Sequence, residues 1–220
     1  MKFDRIVFII AIIWYSLTAY FSVGYYHGDE HYQIIEFAGI KTGTYTPIEL
    51  AWEFESQIRA AIQPTICYLI FNSCDFFSVI DPYHKAFILR LITGLFAVLA
   101  IYFFTHSCRN MMSCRNWKPF LIVSYSLWFL PFINVRFSSE TWSGIALLTS
   151  LAFIIKDNKN YWTFLISGGL LGLSFLFRYQ IATAAFGLIL WLVFIKKRII
   201  FEYCPACTIR FSYCYCRDFY

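Results

Sequence analysis

Six long stretches without a single charge decide what this chain can become. They are Ile6–Gly28, Leu91–Cys108, Pro119–Val135, Thr141–Ile155, Asn160–Phe177 and Tyr179–Ile195. A helix crosses the roughly 30 Å hydrocarbon core of a bilayer with about 17–25 apolar residues, and fewer suffice where polar ends reach the interface. The second stretch reads as starting near Ala86, which draws in Arg90; a charge there needs a polar partner or an interface. A seventh stretch, Ala60–Cys74, is interrupted by Pro64 and Asn72. Composition closes the alternatives. Of the 220 residues, 60% are hydrophobic and 14% charged, whereas a soluble domain runs near 45–50% and 25%. That excludes an ordinary soluble enzyme and a disordered chain. The net charge of +5 includes no dense basic run apart from Lys196-Lys197-Arg198, so nucleic acid is not a predicted partner.

Basic residues orient the spans, because Lys and Arg concentrate in inside loops. With the N-terminus inside and six spans, the inner segments hold Lys2 and Arg5; Arg109, Arg115 and Lys118; Lys156 and Lys159; and Lys196, Lys197 and Arg198. Counting Ala60–Cys74 as a full span would send the later clusters outside, so it reads as a helix lying on or dipping into the outer interface. The prediction is an all-α polytopic membrane protein of about six transmembrane helices. Residues 1–198 form one membrane domain, and 25–85 form a large first outer loop carrying interfacial helices. Eight of the 13 acids fall in Tyr25–Lys85, and loops of this length are usually functional.

Within that loop, His27 to Gly39 has helical periodicity. Asp29, Tyr32, Gln33 and Glu36 share one stripe, while Ile34, Ile35 and Ala38 take another. Gly28 is the predicted N-cap and Gly39 the C-terminal stop. Asp29 and Glu30 then occupy the first turn, where the helix dipole favours an ionised carboxylate suited to general-base work. A solvated acidic helix accounts for the same pattern. Farther on, Trp52 among Glu49, Glu53 and Glu55 suits either a membrane-surface anchor or a substrate platform. Arg136 and Arg178 stand at outer ends of spans, against the positive-inside bias. Each either pairs with a carboxylate such as Glu140 or a loop acid, or holds an anionic headgroup through its bidentate fork.

His27-Gly28-Asp29-Glu30 with Gln33 and Glu36, followed by Trp52-Glu53, Arg59 and Pro64, resembles the first lumenal loop of the Alg9-like mannosyltransferases. That group includes the GPI-anchor mannosyltransferases and has the GT-C membrane glycosyltransferase architecture. Its loop typically opens with His-Pro-Asp-Glu and continues to Thr-Trp-Glu; here Gly28 replaces the proline and Ala51 the threonine. Arg136 to Glu140 resembles the family's Arg-Thr-x-Ser-Asn/Glu element, and Arg178 the arginine of its later Arg-Pro element, with Tyr179 and Gln180 departing from it. The ordered set spans roughly residues 5–198.

The resemblance implies a polyprenyl- or dolichyl-phosphate sugar donor, a glycan or glycolipid acceptor and inverting transfer of mannose or a related hexose. The site would face the outer or lumenal side of a bacterial cytoplasmic membrane or the endoplasmic reticulum. Asp29 would be the general base and Glu30 its backup or a ligand of the acceptor hydroxyl. Arg178 and Arg136 would stabilise the departing lipid phosphate, and Trp52 would stack on a sugar. Gln33, Glu36, Glu53, Arg59 and Glu140 would complete the substrate site, with no cofactor and no obligatory metal. The rival reading is a non-catalytic membrane protein, a transporter fragment or an assembly subunit. A transporter would carry ionisable groups near mid-span, where only Arg90 qualifies.

The cysteines add little. Cys67 and Cys74 would both lie outside and could pair. Cys204-Pro205-Ala206-Cys207 has zinc-ribbon spacing, but Cys214-Tyr215-Cys216 does not supply the second pair. Family members are longer, with more spans and a further domain, so the atypical segment 199–220 reads as the end of a frameshifted or truncated product.

Overall fold

The computed structural model describes residues 2–24, 28, 30–46, 50, 52–56, 60–156 and 160–195. Among them every regular element is helical. Two helices are long and apolar enough to cross a membrane, α1 (Lys2–Phe21) and the one that runs from Pro82 to Met111. The latter is α5 (Pro82–Cys108) extended by a short 3-10 turn. Its start follows local chemistry: Asp81 caps it by accepting from the Tyr83 amide at 2.9 Å, and Pro82 opens the first turn, where a missing N–H costs nothing.

α1 buries Ala11, Tyr15 and Ala19, spaced four residues apart on one stripe, and exposes Ile6, Ile9, Ile13 and Leu17. The small residues let α5 approach closely. At Gly94 of α5 a Cβ would sit 3.1 Å from Val135 Cγ1 and 3.7 Å from Tyr15 Cβ. Ala97, Val98, Tyr125 and Val135 complete this core. The apolar stretch Pro119–Val135 does not form one helix. It divides into α6 (Cys114–Ser126) and α7 (Leu130–Asn134), the break falling at Leu127, whose carbonyl stands four residues before Pro131 and finds no N–H there to continue the helix. At the far end of α1, Asp4 pairs with Arg109 at 2.5 Å and accepts from Trp117 Nε1 at 3.0 Å.

α8 (Ser139–Ile155) and α9 (Tyr161–Phe177) form the most extensive helix pair. Ser143 Oγ donates to the Ser174 carbonyl and Ser174 Oγ to the Ser143 carbonyl, both at 2.8 Å, and Ser150 Oγ donates to the Ser167 carbonyl at 2.8 Å. These serines are buried, as are Thr93 and Thr105, whereas Phe96, Leu99, Phe164, Leu165 and Ile166 point outward. Along α8 and α9 the buried positions are mostly Ser, Thr and Ala.

The segment between α1 and α5 contains α2 (Glu36–Lys41), α3 (Trp52–Glu55) and α4 (Ile62–Phe76). The helix read over Gly28 to Gly39 differs in two ways. Glu30–Ile35 is a π-helix, whose wider turns alter the angle between successive side chains. The predicted polar stripe therefore breaks: Tyr32 is exposed while Glu36 is buried with Ile34 and Ala38. The stop also moves, because Gly39 is interior, with the Tyr45 ring against its Cα, and the chain turns at Thr42 and Gly43 with φ +73° at the glycine. Ile34, Ala38, Cys67, Leu89 and Phe137 form a second core that fastens this segment to α4 and α5. Cys67 and Cys74 are both free thiols. Seven residues apart on α4, they are separated by about 10.5 Å of helix rise, too far to bridge.

The residues divide into two units, 1–179 and 180–220. In the second, α10 (Ile181–Leu190) continues into a π-helical stretch, Trp191–Ile195.

Candidate active site

Charge converges where α1 gives out. Beyond Phe21 the chain passes through Ser22 and Gly24, the latter with φ +68°, a left-handed backbone that glycine accepts without strain. The Gly24 carbonyl accepts from Arg90 Nη2 of α5 at 2.8 Å and from Arg136 Nη1, after α7, at 2.8 Å. Arg90 Nη1 also donates to the Ser22 carbonyl. Arg136 is 4% exposed, its guanidinium 4.6 Å from the centre of the Phe132 ring. Its Nη1 stands 4.0 Å from Oε2 of Glu30, a carboxylate 7% exposed at the start of the π-helix. Two arginines and a glutamate are thus gathered from three parts of the chain.

Two cavities meet this cluster. A chamber of about 610 Å³ is lined by Glu30, Tyr45, Asp75, Tyr83, Lys85 and Arg90. Its rim is held by the Lys85–Asp75 ion pair at 2.5 Å. The second is an open apolar groove of about 870 Å³ running along α1, lined by Trp14, Leu17, Phe21, Val23 and Phe132 and ending on Arg136.

The remaining predicted site residues are dispersed. Arg178 pairs with Glu140 at 2.9 Å, joining the end of α9 to the start of α8. Gln33 lines a separate cavity of about 20 Å³ with Gln63, Pro64, Ser139 and Phe177, room for about one water. The Gln33 Oε1 and both amide atoms of Gln63 have no hydrogen-bond partner there among the described residues. Trp52 is 68% exposed, Glu53 is half-buried beside it on α3, and Glu36 is buried on α2. Asp29 and Arg59 lie outside the described residues, as do the cysteines of the tail. Among the described residues, no three His, Cys, Asp or Glu side chains come together. Arg90 is the residue that motif reading left out of the site. Its signal was present, a lone charge inside an apolar stretch, but only the fold supplies its partners.

Fold and site together define an all-helical protein whose buried charges gather at one end of its long apolar helices, between an apolar groove and a roomy chamber. The chain belongs to the Alg9-like mannosyltransferase family, whose family model matches residues 6–217. It is thus a member of a family of membrane glycosyltransferases. No curated protein and no solved structure matches it.

Proposed function

We propose that the chain transfers mannose from a polyprenyl or dolichyl phosphate to a glycan or glycolipid acceptor at the outer or lumenal face of its membrane. The observation that carries this reading is the Glu30 carboxylate. It is buried beside Arg136 and opens on a chamber whose volume falls in the range of small-molecule sites, about 300–1,000 Å³. The membrane setting is supported by the outward Ile, Leu and Phe side chains of α1, α5 and α9 around buried Ser and Thr, the distribution that helices in lipid adopt. About six spans with the N-terminus inside satisfy the positive-inside bias, and α4, with Leu69 and Phe76 exposed, lies at the outer interface.

In this mechanism an acceptor hydroxyl oxygen attacks the anomeric carbon of mannose from the face opposite the phosphate. The new glycosidic bond forms as the bond to the phosphate oxygen breaks, and that electron pair leaves on the lipid phosphate. The hydroxyl proton passes to Asp29, with Glu30 holding the acceptor hydroxyl. Positioned general-base catalysis contributes about 10²–10⁴-fold. Asp29→Asn should therefore lower transfer from radiolabelled polyprenyl-phosphate mannose by that factor in proteoliposomes, and Glu30→Gln should lower it less. Near-normal transfer by Asp29→Asn would remove the base assignment. Absence of transfer by the unaltered chain to any of a panel of membrane glycolipids would overturn the reading as a whole.

A further inference from the structure

We infer that the small cavity between Gln33 and Gln63 is a binding site for one water molecule, and that this water joins the π-helix bearing Glu30 to α4. The inference is independent of the transferase reading and goes beyond it.

The amides come first. Gln63 is 3% exposed in the first turn of α4, and neither polar atom of its side chain meets a hydrogen-bond partner among the described residues. Gln33, on the π-helix, presents a buried Oε1 in the same condition. Both side chains line one cavity of about 20 Å³, yet they make no hydrogen bond to each other. A buried polar atom left unpartnered bears its full desolvation cost, and three such atoms face this one space. Its volume exceeds the roughly 10–15 Å³ that a single water requires.

The balance of donors and acceptors selects the occupant. Gln33 Oε1 and Gln63 Oε1 each require a donor, and Gln63 Nε2 requires an acceptor. Water donates twice and accepts once or twice, so it answers all three, the usual number of bonds for a buried water. A halide would answer only the nitrogen, and a metal ion only the oxygens. Turning either amide over exchanges one donor for one acceptor, and water fits the new set equally well. The position gives the water its task. Gln33 follows Glu30 by three residues on the π-helix, and the cavity is closed by Pro64 of α4, Ser139 of α8 and Phe177 of α9. The segment that sets Glu30 beside Arg136 thereby gains a directional joint that the apolar contacts of Ile34 and Ala38 do not provide. Gln33 lines this cavity and not the 610 Å³ chamber, so it and Gln63 are positioning residues rather than substrate contacts.

Three measurements on the purified full-length chain test this. X-ray hydroxyl-radical footprinting detects bound water, because radicals formed from it label adjacent side chains that bulk solvent barely reaches. Phe177, 8% exposed and on the cavity wall, should be labelled, and should lose that label in Gln63→Leu. An unlabelled Phe177 in the unaltered chain, or a label that Gln63→Leu leaves intact, overturns the water whatever the variants do to folding. Unfolding in dodecyl sulfate then compares Gln33→Leu, Gln63→Leu and the double variant. Each single change strands the opposite amide and should lower the folded-to-unfolded ratio by roughly 5–30-fold. The double change removes all three polar atoms and should recover most of that loss, since replacing both partners by apolar groups is nearly neutral. Amides that share no water give the reverse pattern, two independent stabilisations that add, and that result overturns the bridge. So does a cycle in which Gln63 couples to Arg59, four residues ahead of it, instead of to Gln33. Hydrogen exchange reads the joint itself: in Gln63→Leu the amides of residues 30–37 should exchange faster while those of α1 keep their native rates. Equal acceleration in both would overturn the link to the π-helix.

Discussion

Replacing Ser143 and Ser174 by alanine, singly and together, asks how α8 and α9 share their protons. Each hydroxyl has one proton to give. Ser143 Oγ lies 2.8 Å from the Ser174 carbonyl and 3.0 Å from Ser174 Oγ, while Ser174 Oγ lies 2.8 Å from the Ser143 carbonyl. If both protons go to carbonyls, two independent bonds cross the interface. If one joins the two hydroxyls, the pair contains a shared bond that either substitution destroys. The shorter distances favour the first arrangement. Interhelical hydrogen bonds in a bilayer average about 0.6 kcal/mol and reach about 1.7. The carbonyl left behind is not orphaned, since Ser174 O also accepts the Arg178 amide at 3.1 Å. Each single alanine should therefore cost about 0.6 kcal/mol and the double about 1.2, with a coupling energy inside the roughly 0.3–0.5 kcal/mol at which effects count as additive. Unfolding of the four proteins in mixed micelles with rising dodecyl sulfate measures all the terms. A coupling near 1 kcal/mol, or a single substitution that costs as much as the pair, would refute the two-bond arrangement.

Two further outcomes follow from packing and burial. Gly94→Ala should lower stability by about 1–3 kcal/mol, the usual cost of overpacking, because the new methyl meets the fully buried Val135. Val135→Ala in the same chain should recover part of that loss, and a Gly94→Ala protein that melts with the wild type would contradict the close approach of α5 to Val135. The thiol of Cys67 is pushed up to about 12 by burial, so its neutral form is favoured by folding. Peptide-mapped alkylation at pH 8 should spare Cys67 while exposed Cys114 reacts, and dodecyl sulfate should abolish the difference. The sign for stability follows: the unfolded thiol ionises above its ordinary value near 9 while the folded one does not, so the contribution of Cys67 falls as pH rises from 9 towards 12. Equal labelling of the two cysteines in the folded protein would show that Cys67 is not sequestered.

Much of the architecture was legible because it rests on composition. The apolar stretches at Ile6, Leu91, Thr141 and Asn160 became α1, α5, α8 and α9, since a run without charges leaves a backbone few ways to satisfy itself other than a helix. The doubtful stretch Ala60–Cys74 became α4, a helix despite Pro64, which sits in its first turn, where proline is tolerated. Other features left no trace in hydropathy or periodicity. The break between α6 and α7 is invisible to hydropathy, because Leu127, Trp128 and Phe129 are as apolar as their neighbours. The π-helix at Glu30–Ile35 does not change which residues are present, only the angle at which they point, so a stripe computed at helical spacing set Glu36 on the wrong side. The candidate site was half visible. Glu30 and Arg136 were named from the ordered motif elements and come together at 4.0 Å. Arg90 was noticed as a charge in need of a partner, yet its partners are backbone carbonyls 66 and 68 residues away, which no sequence window contains.

The Gly24 carbonyl has a consequence for how the protein is made. One of its two guanidinium partners stands 66 residues downstream and the other 112. At ribosomal speeds of about 5–20 residues per second, the second arginine emerges roughly 6–22 seconds after the glycine it will hold. Throughout that interval the segment between α1 and α5 has its anchoring point incomplete, open to chaperones and proteases. Docking of this segment is therefore timed by translation of a residue far away, and codon choice between Gly24 and Arg136 becomes a lever on the yield of correctly assembled protein.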